Sequence, residues 1–296
     1  MKKNKIAVIG LSGFSFFIKT KQFPKVGETV LAEKYHIEYG GKGFNACIAA
    51  KRLAPDIEVS FLTAFGSDFI KDEAISLLNK EGIDVHPIIK NNQVSGAAVI
   101  EIDQAGDNKV ICEPGASNLL NVDDVRSFEK EIKDSKYLLL QLEISDEALV
   151  EAINLAKKYD TLIILNPAPA KELDKHILDK CYLITPNEDE YDIVFKNINN
   201  LNDYKIIRTL GEKGISLNIN GKIDMIDALK VDVVNTTGAG DTFNGALVAY
   251  LTKGFNLMDA ARYATIASSI SVTKEFVIDS IPYKDEIDIL LDKRVK

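Results

Sequence analysis

Asn235-Thr236-Thr237-Gly238-Ala239-Gly240-Asp241 runs straight into Phe243, Ala246, Leu247, Tyr250 and Leu251, apolar residues at helical spacing. The junction reads as a tight glycine turn whose free backbone N–H groups open a helix, and such an N-terminus favours a bound anion. Glycine lets the backbone approach a ligand closely. Asp241 then adds one fixed negative charge where a hydroxyl could be deprotonated as it attacks phosphorus. The plainer alternative is that Asp241 only caps the helix, because Gly-rich turns leading into Asp-capped helices are common.

Upstream of this junction, strand-like and helix-like segments alternate. Ile6-Ala7-Val8-Ile9 and the runs 57–64, 136–142, 161–166, 181–185 and 204–210 are short and rich in β-branched and other apolar residues. Helical patterns lie between several of them, such as Leu149, Ile153 and Ala156 within 145–159. This alternation predicts an α/β fold, doubly wound, with a mostly parallel sheet flanked by helices. Two stretches break the rhythm: 26–39, and 96–112 with its Gln104-Ala105-Gly106-Asp107 turn. Both predict antiparallel ribbons forming a small β lid, built from about 11–40 and 94–114, within a single domain spanning 1–296. A lid over an active site is the natural use of such an insert.

Composition narrows the class of function. Charged residues are 27% and hydrophobic ones 46%, ordinary for a globular protein. Lys+Arg 36 against Asp+Glu 44 gives a net charge of −8, which argues against nucleic-acid or membrane partners. Cys47, Cys112 and Cys181 are odd in number and far apart, so neither a disulfide framework nor a zinc site is expected. His36, His86 and His176 are equally scattered. With no long apolar leader after Met1-Lys2-Lys3 and no run of about 18 apolar residues, the cytoplasm is the expected location.

The commonest nucleotide motifs are missing. There is no Gly-x-x-x-x-Gly-Lys-Ser/Thr, and Gly10-Leu11-Ser12-Gly13 is only a fragment of the dinucleotide fingerprint. A second Gly-rich element, Gly40-Gly41-Lys42-Gly43-Phe44-Asn45, precedes a helical run over 46–53. Bare backbone there leaves room for a polar ligand, and Lys42 and Asn45 offer donors for hydroxyls or phosphate, although the glycines also suit a plain tight turn.

Together the two elements resemble the ribokinase-like family of sugar and nucleoside kinases. Between them come Gln141-Leu142-Glu143, Leu165-Asn166-Pro167-Ala168-Pro169-Ala170, Thr185-Pro186-Asn187-Glu188-Asp189-Glu190 and Thr209-Leu210-Gly211-Glu212-Lys213-Gly214, each similar to the family's pattern and in its order. The resemblance implies a kinase that uses ATP and Mg²⁺ to phosphorylate a hydroxyl of a sugar-like molecule. It implies Asp241 as the base, with Gly238, Ala239 and Gly240 supplying N–H groups to the transferred phosphoryl. Gly40, Gly41, Lys42, Asn45 and Glu143 would bind sugar hydroxyls. Asn187 and the loop Thr209, Leu210, Gly211, Glu212, Lys213 and Gly214, with Gly240, would hold ATP. Glu190 would order Mg²⁺ through water, although read alone it is an exposed carboxylate in an acidic turn. Asp241 and Asn45 would stand on opposite sides of one pocket. A homodimer paired through the lids is also implied.

Departures from the family bear on the substrate. Where the family carries an Asn-x-Asp that clamps sugar hydroxyls, this chain has Gly13 and Ser15, flanked by Phe14, Phe16 and Phe17. Losing two charge-assisted hydrogen bonds weakens ribose binding on the order of 100-fold. Ser15→Asp alongside Gly13→Asn is then expected to recover ribose use. A nucleoside or keto-sugar acid is the alternative substrate, and a catalytically silent ligand-binding relative the alternative class. Asn235 stands where the family has Asp, and Lys274-Glu275-Phe276-Val277-Ile278-Asp279-Ser280 replaces a loop with Gly-Ala, so a K⁺ site at Asn235, Thr237 and Ser280 is in question. The short spacing from Glu190 to Ile206 predicts a trimmed edge on the nucleotide side.

Overall fold

The computed structural model describes residues 4–105 and 108–294, so Gly106 and Asp107 of the expected turn lie outside the described residues. In chain order the strands are β1 (Lys5–Ile9), β2 (Gly13–Lys19), β3 (Lys34–Gly40), β4 (Glu58–Phe65), β5 (Asp84–Ile89), β6 (Gly96–Ile102), β7 (Asn108–Glu113), β8 (Tyr137–Leu140), β9 (Leu162–Leu165), β10 (Leu183–Ile184), β11 (Ile206–Thr209), β12 (Ile215–Ile219) and β13 (Lys222–Ile226). The helices are α1 (Lys42–Leu53), α2 (Ile70–Lys80), α3 (Val122–Ser127), α4 (Glu129–Asp134), α5 (Asp146–Lys158), α6 (Lys175–Leu178), α7 (Glu188–Val194), α8 (Ala239–Thr252), α9 (Leu257–Ser271), α10 (Val277–Ser280) and α11 (Lys284–Arg294).

Nine strands form the main sheet in the order β13-β12-β11-β10-β9-β8-β1-β4-β5. From β11 to β5 all neighbours are parallel, and β12 and β13 are antiparallel at one edge. The chain winds outward from β1 through β4 and β5, then returns to β8 and winds the other way. The β1–β8 junction is therefore a topological switch point, where the loops at the strands' carboxyl ends open a crevice.

Alternate residues of the strands feed two cores. Ile6, Val8, Phe61 and Leu139 pack with α1, α2, α8 and α9 on one face, and Ala7, Ile9, Leu138 and Leu140 pack with α3, α4 and α5 on the other. Because both faces are covered, the strands read as continuous apolar runs, which is why they are visible in the sequence. Helix α8 is buried from Asp241 through Thr252, not along one stripe. Its close neighbour is α1: a Cβ at Gly245 would lie 2.3 Å from the Ala46 carbonyl oxygen, so glycine lets the two helices touch backbone to backbone.

The second sheet has the order β3-β2-β6-β7. Its two ribbons, β2–β3 and β6–β7, are antiparallel, and they join through a parallel pairing of β2 with β6. The first ribbon differs from the expected stretch 26–39. Residues 26–33 form no strand, and the partner of β3 is the Phe-rich 13–19 segment. Val26 and Leu31 are fully exposed, so their β-forming character finds no sheet neighbour. Phe17, by contrast, is buried against Ile100.

Candidate active site

The two Gly-rich elements meet where α1 and α8 begin. Gly41 caps α1 at φ 120°, and a Cβ there would come within 2.4 Å of the Leu11 carbonyl oxygen, so only glycine fits. Helix α1 starts at Lys42, four residues before the expected helical run, which sets Lys42 and Asn45 on its first turn. Gly238, in the left-handed region at φ 76°, caps α8. Asp241 is therefore not the cap: it is the third residue of the helix, 8% exposed, and its Oδ2 accepts a hydrogen bond from Asn45 Nδ2 at 2.8 Å. The expectation of Asp241 and Asn45 on opposite walls fails for the same reason, since the packing of α1 on α8 puts them in contact.

Of the three turn N–H groups expected to face an anion, the Ala239 N–H is already bonded to the Thr236 carbonyl at 3.2 Å. Gly240 is the second residue of the helix, so its N–H has no intrahelical carbonyl to meet. Asn244 steadies this turn: its Nδ2 donates to the Gly240 carbonyl at 2.9 Å and its Oδ1 accepts from Thr185 Oγ1 at 2.6 Å.

Beside this contact lies a cavity of about 400 Å³. It brings together Gly13, Ser15, Gly40, Gly41, Lys42, Asn45, Glu143, Thr237 and Asp241. One wall, from α1, α8 and the loop after β8, is charged. Lys42 is held charged above the usual lysine range, first by Asp241 and against the effect of its burial. The Lys42 backbone N–H donates to Glu143 Oε2 at 3.1 Å. Burial drives the Glu143 carboxyl up to about 7, with Lys42 pulling it down and Asp241 adding to the rise. The opposite wall is the small sheet, which contributes Ala97, Ala98, Ile100 and Val110. Ser15 and Cys112 are its polar members, with Asn118 beyond the sheet's end. The sequence places neither Cys112 nor Asn118 at this cavity, because nothing in their spacing ties them to the Gly-rich elements.

Gly13 pairs with Gly40 and with Gly96, and a Cβ on it would lie 2.1 Å from the Gly96 carbonyl oxygen. The position accepts no side chain while β2 and β6 stay paired. Restoring the missing clamp through Gly13→Asn is therefore closed, and only Ser15 remains available.

The expected nucleotide residues form a separate group at the carboxyl ends of β10 and β11. Asn187 caps α7, its Oδ1 accepting from the Glu190 N–H at 2.8 Å while Glu190 Oε2 accepts from the Asn187 N–H at 2.8 Å. Glu190 is not exposed, as the acidic turn suggested, but 9% exposed. Burial raises its pKa, while Lys42 lowers it and Asp241 raises it, so its carboxylate lies within electrostatic reach of Lys42 and Asp241. The Thr209 N–H bonds the Pro186 carbonyl at 2.9 Å, which sets the following loop beside Asn187. Leu210 closes that loop on Gly214 at 2.8 Å, with Gly211, Glu212 and Lys213 as one 3₁₀ turn. Helix α7 has seven residues before the chain reaches β11, in line with the trimmed edge expected.

The three residues of the proposed cation site are engaged with protein partners. Asn235 Nδ2 donates to the Glu275 carbonyl at 2.7 Å, Asn235 Oδ1 accepts from the Thr237 N–H at 2.9 Å, and Ser280 Oγ donates to the Val277 carbonyl at 2.7 Å.

A doubly wound sheet with a carboxylate at the start of a Gly-capped helix, beside a cavity roofed by a small sheet, defines a small-molecule phosphotransferase of the sugar-kinase type. The pfkB family carbohydrate kinase model matches residues 3–284, and the chain belongs to that family. It is accordingly an ATP-dependent sugar kinase. It is 34% identical to a ribokinase of Haemophilus influenzae, over 95% of this chain and 96% of that one. A deoxyribokinase of Salmonella typhimurium is 33% identical, over 94% and 95% respectively. The solved ribokinase of Thermotoga maritima superposes with a TM-score of 0.85 at 31% identity, covering 97% of this chain and 99% of that one. Among the described residues no helix is long and apolar enough to cross a membrane.

Proposed function

We propose that Asp241 is the general base of this kinase and that its acceptor is a sugar with one hydroxyl-poor face. The observation that carries the reading is the Asn45–Asp241 contact at the cavity wall, with Lys42 and Glu143 on the same side. Asn45, Lys42 and Glu143 hold the sugar so that one hydroxyl faces Asp241. Asp241 takes the proton as that oxygen attacks the γ-phosphorus of ATP, and ADP leaves with the electrons of the broken P–O bond. The N–H groups of Gly238 and Gly240 face the charge on the transferred oxygens, whereas that of Ala239 is occupied. The loop 209–214 and Asn187 hold the nucleotide.

Glu190 fits Mg²⁺, because it is a buried carboxylate whose ionisation burial disfavours, and a hard cation held through water offsets that. When bound with ATP, the ion neutralises charge developing on the phosphates. A K⁺ ion fits less well: the Asn235 amide itself links the 235–237 turn to the Glu275 carbonyl, a donor where an ion would need an acceptor. Turnover is therefore expected to be the same in Na⁺ and K⁺ buffers.

The sheet wall offers Ser15 and Cys112 where the helix wall offers two carboxylates, an amide and an ammonium. A deoxypentose, which lacks one hydroxyl, loses less there than ribose does, and the deoxyribokinase relative supports this choice. Cross-strand neighbours Ile37, Phe16, Val99 and Ile111 form a row on the sheet's outer side, with Ile37, Val99 and Ile111 exposed. We propose that this row pairs with a second copy, so that the lids form a homodimer, read out by sedimentation. Purified protein with ATP, Mg²⁺ and a panel of pentoses, deoxypentoses, nucleosides and sugar acids, followed by ADP release, tests the acceptor. Preference for ribose over every deoxypentose would defeat the substrate reading.

A further inference from the structure

Strand β3 presents three successive side chains of one face to a short segment near the C-terminus. Lys34 pairs with Glu275, and the His36 ring stacks on Phe276 with centroids 3.8 Å apart. Glu38 is different in kind: at 8% exposure it accepts N–H bonds from Val277 at 2.8 Å and Ile278 at 3.2 Å. The same segment touches the turn that opens α8. A Cβ at Gly238 would lie 2.5 Å from Val277 Cγ1, so the Val277 side chain fills the notch that Gly238 leaves. Val277 also packs with Phe17 and Ile100 of the small sheet.

A buried carboxylate is tolerable only while its hydrogen bonds are made, and leaving it unpaired is expensive. The two N–H groups of Val277 and Ile278 therefore fix this segment steeply relative to β3. Through Val277 that position is passed to Gly238, whose left-handed backbone sets the direction of the turn. Strand β3 itself runs on into Gly40 and Gly41 of the sugar cavity.

We propose that Glu38 is a positioning residue for phosphoryl transfer, locking the small sheet to the catalytic turn through Val277 so that Asp241 stays aimed at the acceptor and the Gly240 N–H at the transferred phosphoryl. Glu38 is not among the residues that line the cavity. The proposal rests on the kinase reading, and the two fail separately: an inactive wild type defeats the kinase reading before any variant is compared.

The test uses the full-length chain with its best acceptor. Glu38→Gln keeps the size of the side chain but turns an N–H donor toward a backbone N–H. It should lower kcat by about 10–100-fold, the loss expected for a misplacement of around 1 Å. Apparent KM for sugar and for ATP should stay within about twofold, because the substrates' own contacts remain. Val277→Ala removes the contact with Gly238 while keeping the backbone bond to Glu38, and should show the same split. Lys34→Ala breaks only the neighbouring exposed pair and should keep wild-type turnover. Unchanged kcat in Glu38→Gln, or a loss confined to sugar KM, would overturn the proposal. If Glu38→Gln does not fold, Val277→Ala decides alone, and full turnover in that variant overturns it.

Discussion

Replacing Glu143 with Gln removes a carboxylate that the fold holds at a disadvantage. Its folded pKa of about 7 stands above the ordinary 4.5, so between those values the folded state binds more protons than the unfolded chain. Stability therefore falls as pH rises from 4.5 to about 7 and is flat above. The full penalty for ionised Glu143 corresponds to about 3 kcal/mol, already net of the attraction of Lys42. Glu143→Gln carries no charge to be desolvated and should stabilise the ligand-free protein at pH 8 by about 1–3 kcal/mol, or several degrees in Tm. Near pH 4.5, where Glu143 is protonated anyway, the gain should vanish. The same ionisation governs binding: the carboxylate accepts sugar hydroxyls better than the acid does, so wild-type KM for sugar should fall from pH 6 to 8 and the variant's should not. Paired thermal melts across pH 4.5–8 provide the assay. A variant no more stable than wild type at pH 8, or a difference independent of pH, would refute the electrostatic reasoning.

Gly13→Asn should disrupt the β2–β6 pairing and lower Tm markedly, given the 2.1 Å approach of its Cβ to the Gly96 oxygen; a melt matching wild type would show that β6 yields. Ser15→Asp alone puts a carboxylate directly across the β2–β3 pairing from buried Glu38, so it should lower Tm while raising kcat/KM on ribose, because Ser15 already faces the cavity; melts and steady-state kinetics on ribose check it. Gly41→Ala, at φ 120° and 2.4 Å from the Leu11 oxygen, should lose roughly 1–3 kcal/mol of stability and raise the sugar KM, as denaturant unfolding and kinetics will show.

The main sheet was legible because its strands are buried on both faces and announce themselves as apolar runs. Strand β2 was not, since Phe16, Phe17 and Ile18 follow one another without alternation and hide the period of two, and the exposed Val26 and Leu31 mimicked a strand instead. The cavity residues on α1 and α8 were legible through the Gly-rich elements, where Gly41 and Gly238 are held by close approach and positive φ. Contacts between distant elements were not: Asn45 on Asp241, Glu38 on the 277–278 backbone and the Gly13–Gly96 approach span more than 80 residues each and depend on how α1, α8 and the small sheet pack. The all-round burial of α8 was not legible either, because only Phe243, Ala246, Leu247, Tyr250 and Leu251 stood out at helical spacing while its buried polar residues Thr242, Asn244 and Thr252 read as an outer face.

The most direct test is turnover by Asp241→Asn on the best acceptor, with ATP binding measured alongside. The amide keeps the shape, and its oxygen can still accept from Asn45 Nδ2, so the α1–α8 contact survives. What is lost is the proton acceptor, together with the negative charge that faces Lys42. The base assignment predicts a fall in kcat of roughly 10²–10⁴-fold with ATP affinity little changed. Wild-type turnover in Asp241→Asn would contradict it, and Asp241 would then serve only to anchor Asn45.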